Sequence, residues 1–387
     1  MSSAYLYHQV SPENQPSSGE FKEFSTADYV LNFPNRKIVA GSIRITANVI
    51  CSDTSAESQA TSNIYVDPLV GASAFFDTIT TSLDKVGQIE SIADYGRWIK
   101  TVEQAKTSRT DTFKGSKVCE LQAPNPNWSK AVLKGTSSTR AEVGGGETAL
   151  VITDNADFSI KPRICLNSAV GGDGTMSFRK SGAVRLTLRI ARALSSLYGT
   201  SVSKPADATT ASVSLTNMKI HFASVPDVGT DAPLTMSNIV NIKSTVQSTF
   251  SNISCQVPAV CRGVSATLIQ EAKQRQGGMN NPLLCEPLPE FKTIEFIYNN
   301  TVNNSLVSYQ INDYAEVLER YVKSVSDSSH SSCSLWNVKH MDCFGIGLSF
   351  DGLMDLRRQR FQIQISSAVE STKPYAISLF FWGVQTL

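Results

Sequence analysis

Charged residues are scarce in this sequence. Asp, Glu, Lys and Arg make up 18% of its 387 residues, below the roughly 25% typical of soluble domains. The 35 basic and 34 acidic residues leave a net charge of +1, which argues against a nucleic-acid coat and against a polybasic membrane-surface binder. Ser, Thr and Asn supply the polar surface instead. Because such a surface offers little repulsion between copies, the composition favours an extended, self-associating protein.

Long apolar runs are also missing. The longest, Ala376 to Val384, is half the length of a membrane-spanning helix and alternates like a strand. The first twenty residues contain no basic segment followed by an apolar one, so no signal peptide is expected. We therefore expect a protein that is not secreted.

Cysteines occur, but no two of them form a C-x-x-C pair. Scattered cysteines in a chain of this length indicate free, buried thiols in a reducing compartment rather than a disulfide framework. The eight are Cys51, Cys119, Cys165, Cys255, Cys261, Cys285, Cys333 and Cys343.

Histidine is rare, which leaves little material for catalysis. The four histidines are His8, His221, His330 and His340. His340 lies near Cys333 and Cys343 in a grouping reminiscent of a zinc site, but the spacing fits no standard ligand pattern and no second pair stands nearby. The H-x-H motif of a cupin-type metal site is absent. We expect no metal, no cofactor and no catalytic residues, and hence not an enzyme.

Two glycine-rich runs might cradle phosphate. They are Gly144-Gly-Gly146 and Gly171-Gly-Asp-Gly174. Neither belongs to a G-x-x-x-x-G-K-[ST] motif or lies clearly between a strand and a helix. We interpret both as loop tips, which disfavours a packaging ATPase.

Alternation of apolar and polar residues is the main structural signal. In Val184–Ile190 every second residue is apolar, and Phe361–Ile365, Ile43–Ala47 and Lys292–Tyr298 follow the same rule. This period is typical of half-buried strands in an antiparallel sandwich. The aromatic C-terminal strand, with Phe380 to Trp382, is interpreted as buried on both faces rather than as a binding stripe.

Two segments have the spacing of helices. Residues 311–325 place apolar side chains three and four apart, after Asp313 and Glu316 in capping-box positions. Residues 71–105 show a similar spacing, which Gly87 and Gly96 divide into shorter helices or turns.

A faint internal repeat divides the chain into two halves. Strand patterns at 184–190 and 214–225 close the first half, and 361–365 and 375–384 close the second. The openings correspond loosely as well, with residues 39–50 beside residues 260–270. The sequence therefore predicts a duplicated β-sandwich, with residues 226–250 as the connection.

Short segments in a fixed order, from about residue 25 to the C-terminus, carry a family resemblance. They are 71–76 (GASAFF), 87–100 (GQIESIADYGRWIK), 214–222 (SLTNMKIHF), 256–260 (QVPAV), 285–287 (CEP), the helix at 313–325, 344–352 (FGIGLSFDG), 361–365 and 376–384. The chain resembles the double jelly-roll major capsid proteins of small tailless icosahedral DNA viruses, of the polinton-like virus and virophage type, in the adenovirus-type capsid lineage. It is short for that group.

The resemblance implies an all-β fold of two tandem eight-stranded jelly rolls with a few short helices in the loops. The implied domains are an N-terminal arm (1–24), a first jelly roll (25–228) and a second (229–387). It also implies a homotrimer with a pseudo-hexagonal outline, located in the virion and made in the cytoplasm or nucleus of the host. The implied partners are neighbouring capsomers, penton and minor capsid proteins and an internal membrane, without sequence-specific nucleic-acid binding. The arm is expected to order on assembly, against neighbouring capsomers or the inner face of the shell.

Other interpretations stay open at this point. A minor or penton-type capsid component has a single jelly roll, against which the repeat speaks. A carbohydrate- or receptor-binding jelly roll would expose a groove lined by some of Trp98, Trp128, Trp336 and Trp382. The basic cluster Arg357-Arg358-Gln-Arg360 is interpreted as a solvated turn or a source of salt bridges to other subunits, although packaged DNA or an inner membrane are alternatives.

Overall fold

The computed structural model describes most of the chain. The ranges are 5–53, 64–67, 69–106, 119–122, 132–133, 140–143, 147–150, 156–170, 174–198, 211–229, 235–247, 249–272, 281–285, 291–299, 304–311, 313–325, 344–367 and 374–386. Strands dominate these ranges.

The strands fall into two groups along the chain. The first group is β1 (Leu6–Val10), β2 (Glu20–Lys22), β3 (Thr26–Leu31), β4 (Arg36–Val39), β5 (Arg44–Asp53), β6 (Ile64–Val66), β7 (Phe76–Leu83), β8 (Gly87–Ala93), β9 (Val132–Leu133), β10 (Arg140–Val143), β11 (Glu147–Leu150), β12 (Ala156–Ile160), β13 (Ala169–Val170), β14 (Thr175–Ser177), β15 (Val184–Ile190), β16 (Leu197–Tyr198) and β17 (Ala211–Pro226). The second group is β18 (Thr235–Val246), β19 (Phe250–Gln256), β20 (Val260–Gln270), β21 (Phe291–Asn299), β22 (Asn304–Gln310), β23 (Ile346–Asp355), β24 (Arg360–Ser367) and β25 (Tyr375–Thr386).

Helices are few and short. They are α1 (Tyr95–Lys106), α2 (Phe178–Ser181), α3 (Ala193–Ser196) and α4 (Tyr314–Val325), with single 3₁₀ turns at Gly71–Phe75 and Cys165–Asn167. The prediction of a helix within 311–325 is confirmed. Its start is capped by Asp313, whose side chain accepts the backbone N–H of Glu316 at 3.3 Å.

The two groups share one strand connectivity. In the second group the sheets run β23-β20-β25-β18 and β19-β24-β21-β22. Eight strands of the first group form β12-β5-β17-β1 and β3-β15-β7-β8. Ranked along the chain within each unit, both give sheets of order 6-3-8-1 and 2-7-4-5. The predicted duplication is confirmed, and each predicted pair of corresponding segments occupies equivalent strands: β5 with β20, β15 with β24, and β17 with β25.

The two units are joined edge to edge. Strand β8 of the first unit lies parallel to β18 of the second, with a bridge between Ser91 and Val240. This pairing merges two four-stranded sheets into a nine-stranded sheet that also includes β13. Each unit keeps its own apolar core, because the side chains of its two sheets face each other.

The prediction of helices over 71–105 was largely wrong. Residues 76–93 form the hairpin β7–β8, and α1 begins only at Tyr95. Bulges produced the misleading spacing. One shifts the register between Arg189 and Ile190 opposite Phe76, and another shifts it after Thr81. A bulge inserts an extra residue, so inward side chains fall three apart, as in a helix.

Two other expectations also differ from the structure. The predicted connection 226–250 contains the long strand β18, so the described units end at Pro226 and begin at Thr235. The predicted arm 1–24 contains β1 and β2, which pair with β17 of the same chain. The polar, proline-containing composition of residues 1–24 gives no strand signal in the sequence. The two short strands form because β17 supplies their backbone hydrogen-bond partners.

Helix α4 packs tightly on β23, and Gly347 of that strand allows the contact. A Cβ added to Gly347 would collide with the side chain of Ser324 and lie 3.2 Å from the Cα of Tyr321. We expect Gly347→Ala to lower the free energy of unfolding by about 1–3 kcal/mol, because the helix must move away. Denaturant titration measures this. Gly352→Ala on the same strand is the matched control, since its Cβ would meet nothing within 4 Å. Equal losses in both variants would contradict the packing described here.

Candidate functional site

The junction between the two units is built around α1. All residues of this helix except Lys106 are buried, although its sequence YGRWIKTVEQAK contains several polar ones. A buried polar group is stable only when it is paired. Each charged side chain inside the junction therefore has identifiable partners.

Asp67 is the centre of one buried ionic network. Its Oδ2 accepts hydrogen bonds from Lys100 Nζ and from Asn281 Nδ2, both at 2.7 Å. Its Oδ1 accepts the backbone N–H groups of Leu69 at 2.9 Å and of Val70 at 3.2 Å. Lys100 and Asp67 are 2% and 0% exposed. The network ties a loop and a helix of the first unit to a segment that follows β20.

The same helix holds that segment at a second point. Arg97 donates from Nη1 to the carbonyl oxygen of Leu284 at 3.0 Å and from Nη2 to that of Pro282 at 2.7 Å. Deeper in the helix, Gln104 donates to the hydroxyl of Tyr321 at 2.6 Å, and that hydroxyl donates to the carbonyl oxygen of Thr101. The junction is thus held by directional bonds as well as by apolar contact.

Two tryptophans reinforce the junction. Trp98 of α1 is buried against Phe380 and Trp382 of β25, with ring centroids 5.2 and 4.9 Å apart. The prediction that β25 is buried on both faces is confirmed for Ile377 to Phe381, with Ser378 included. Trp98 is buried, whereas Trp382 is half-buried and also lines a surface groove with Arg262 and Lys323.

A buried carboxyl spans the seam between the sheets. Glu90 is 2% exposed. Its Oε1 accepts the backbone N–H of Ile239 in β18 at 2.7 Å, and its Oε2 accepts that of Cys165 at 2.8 Å. Burial raises the pKa of Glu90 to about 7, although the two N–H groups partly offset this. Glu90 therefore changes charge near neutral pH at the point where the units meet.

Most of the candidate chemical residues from the sequence lie outside the described residues. Cys333, His340, Cys343 and His330 lie outside the described residues, as do Gly144–Gly146 and 171–173. His8 and His221 each contact a hydroxyl, Ser224 Oγ at 2.6 Å and Thr46 Oγ1 at 3.0 Å. Within the part of the chain that the structure describes, no three His, Cys, Asp or Glu side chains form a group that could hold a metal.

The cysteines that the structure describes are mostly buried, as predicted. Cys51, Cys165, Cys255, Cys261 and Cys285 are buried and Cys119 is exposed, and none of these six is in a disulfide. Burial raises the pKa of the Cys51 and Cys261 thiols to about 12. Thiolate chemistry at these positions is therefore suppressed.

Solved viral structures share this architecture. The Faustovirus major capsid protein matches with a TM-score of 0.65 at 8% identity, over 99% of this chain and 90% of that one. A chain of the Sputnik virophage structure matches at 0.58 and 10% identity, over 99% and 86%. The mavirus major capsid protein matches at 0.52 and 9% identity, over 98% and 86%. The fold is the double jelly roll. No family model and no curated protein matches the sequence.

The double jelly roll has two ends, and one carries the short turns. Strand β8 begins at Gly87 and runs parallel to β18, which begins at Thr235, so both starts lie at the same end. Thr235 pairs with Thr386, and Val260 pairs with both Val384 and Asp355. The last residues of the C-terminal strand β25 and the turn 355–360 therefore lie at the same end as the turn 84–86. We call it the short-turn end.

Hydrogen bonds connect the first unit's turns at the short-turn end. Leu6 pairs with Ser224, and Arg36 donates to the carbonyl oxygen of that serine at 3.0 Å. Asp227 N–H donates to the carbonyl oxygen of Asn35 at 2.9 Å. Lys85 Nζ donates to the carbonyl oxygen of Arg179 at 2.7 Å. Ser177, which precedes the turn 178–182, donates from its Oγ to Asp227 Oδ2 and so joins the two groups of turns. Together these contacts place 5–7, 84–86, 178–182 and 226–229 on one surface.

The second unit continues that surface. Arg357 lines a groove together with Gln88, just beyond the turn 84–86, and with Glu90 and Gln385. Arg357 itself pairs with Asp355, with Nη2 to Oδ2 at 2.6 Å. The basic cluster Arg357–Arg360 is thus an exposed turn leading into β24, which agrees with the solvated-turn interpretation. No helix among the described residues is long and apolar enough to cross a membrane.

Proposed function

We propose that this chain is the major capsid protein of a small icosahedral, tailless DNA virus, and that three copies form a pseudo-hexagonal capsomer. One observation carries the proposal: two units with the same eight-strand connectivity stand side by side and share one sheet. Three such chains present six similar units around one axis, which suits a shell position with six neighbours. The proposal assigns no catalytic activity.

The ends of the shared sheet support assembly. Its terminal strands are β3 and β23. Unpaired strand edges promote association unless something covers them. Contacts around a three-fold axis close on themselves, so covering edges in this way does not lead to fibres.

The proposed partners follow from the same role. They are other copies of this chain within the capsomer, neighbouring capsomers, and penton and minor capsid proteins. The proposed location is the virion, after synthesis in the cytoplasm or nucleus of a host cell. We propose two domains whose boundary lies between β17 and β18, near residue 228. The first includes β1 and β2 of the expected arm, because both pair with β17, and the second spans 229–387.

The oligomeric state tests the proposal. Size-exclusion chromatography with light scattering should give three times the chain mass of 42.0 kDa. A strict monomer at high concentration would contradict the trimer, and a pentamer would favour the penton-type alternative. The paired eight-strand units oppose that alternative. The burial of Trp98 removes one of the four tryptophans from a sugar-binding groove.

A further inference from the structure

Exposed apolar side chains are concentrated at the short-turn end. Among the described residues, eight large apolar side chains are strongly exposed, and five of them lie at this end. The five are Tyr5, Leu6, Tyr7, Val86 and Val228. Tyr7 is 85% and Val228 is 78% exposed. They come from three separate segments that the fold brings together, so their concentration is a property of the surface and not of one loop.

Exposed basic side chains lie at the same end as these apolar ones. The turns 84–86, 178–182, 226–229 and 355–360 contain six basic and three acidic residues, an excess of three, whereas the whole chain has a net charge of +1. The six basic residues are all exposed: Lys85, Arg179, Lys180, Arg357, Arg358 and Arg360. The near-neutral balance of the chain therefore conceals a positive surface at one end.

We propose that the short-turn end binds an anionic lipid surface. Basic side chains attract anionic headgroups, and apolar side chains between them insert at the headgroup boundary. A nucleic-acid surface would use the basic residues but would leave Val86, Val228 and Tyr7 without a partner. A protein partner fits less well, because the centre of a protein interface is depleted in charged residues.

Lipid binding by the short-turn end does not depend on the proposed capsid function. Only the inference that this lipid lies against one side of a shell rests on that function. If the chain is a capsid subunit, its short-turn end faces the side of the shell that carries lipid. A single chain already contains the whole surface. Binding can therefore be measured separately from assembly.

The experiment is vesicle co-flotation of the full chain. One set of vesicles contains phosphatidylcholine alone and the other adds phosphatidylserine. We expect binding to the second set that weakens as salt is raised, because exposed charges are screened. The variant Arg358→Gln with Lys85→Gln should bind about thirty-fold more weakly, since each basic residue near an anionic surface contributes about fivefold.

A matched control changes charge at the opposite end. Lys22 and Lys292 are exposed and lie at that end. Lys22 pairs with Ser214, at the opposite end of β17 from Pro226. Lys292 follows Phe291, which pairs with Ser367 at the opposite end of β24 from Arg360. Lys22→Gln with Lys292→Gln should leave binding within about twofold of the unchanged chain, because both sites lie beyond the reach of the bound surface.

The apolar part has its own variants. Val86→Ser with Val228→Ser should weaken binding about tenfold through lost apolar burial. Phe250→Ser is the control, since Phe250 is exposed at the opposite end, where it pairs with Ser366. Its binding should not change.

Several outcomes would overturn the proposal. These are no binding to phosphatidylserine vesicles, equal losses in the control variants, or binding to short duplex DNA that depends on Arg358 and Lys85 but not on Val86 and Val228. Light scattering on the same samples separates the two proposals. Trimers that ignore vesicles would contradict only the lipid surface, and monomers that bind vesicles would contradict only the capsomer.

Discussion

Replacing Asp67 by Ala should lower the free energy of unfolding by about 3–5 kcal/mol, as expected when one partner of a buried ion pair is removed. The substitution removes the carboxylate that pairs with the Lys100 ammonium, which is 2% exposed, and takes the side-chain acceptor away from the Asn281 amide and the Leu69 backbone N–H. Urea denaturation followed by the fluorescence of buried Trp98 measures it.

An exposed ion pair provides the control for Asp67. Asp84 and Arg185 are 41% and 54% exposed at 2.7 Å, so Asp84→Ala should cost less than about 1 kcal/mol. If Asp67→Ala fails to fold, the double variant Asp67→Asn with Lys100→Met remains informative. Removing both charges should restore much of the stability. Equal losses for Asp67→Ala and Asp84→Ala would show that the junction network is not what stabilises this region.

Stability should fall as pH rises, because of Glu90. Its pKa is raised from 4.5 in the unfolded chain to about 7 in the fold. The folded state therefore holds its proton at pH values where the unfolded state has released it. The stabilisation is complete below about pH 4.5 and lost by about pH 7, and its total is about 3 kcal/mol.

The effect of Glu90 is isolated by comparison with Glu90→Gln, which does not titrate. The comparison is needed because burial lowers the pKa of His8 and of His221, and positive neighbours add to that. Those two histidines therefore make the free energy of unfolding rise with pH over the same range, which is opposite to the effect of Glu90. The stability of the unchanged chain minus that of Glu90→Gln should decrease by about 3 kcal/mol between about pH 4 and pH 8. A difference that does not vary with pH would contradict a protonated carboxyl at the seam.

Simple alternation was enough to locate many strands. The pattern in Val184–Ile190 coincides with β15 in both bounds, since alternate side chains face a core. The pattern failed where the backbone departs from regular pairing. In β7, the bulge places buried Phe76 and Ile79 three residues apart, and only the partner strand shows this.

The buried polar contacts of the junction could not be predicted from the alternation of apolar and polar residues. A lysine such as Lys100 is expected on the solvated face of a helix, and its partner Asp67 lies 33 residues away in sequence. Asp67 also accepts a hydrogen bond from Asn281, which belongs to the second unit and lies 214 residues away. One signal was available: Trp98 and Ile99 beside Arg97 and Lys100 leave no clean polar face on α1, as expected for a helix buried all round. Only the part of the basic surface at Arg357–Arg360 was visible as a cluster in the sequence, because the other basic residues of the short-turn end come from two separate turns.

Electron microscopy of the purified chain tests the central claim most directly. Class averages viewed along the three-fold axis should show a pseudo-hexagonal particle with six lobes, two from each chain. Two-lobed single chains that never associate at high concentration, or five-fold rings, would contradict the assignment of this double jelly roll as a trimeric capsid building block.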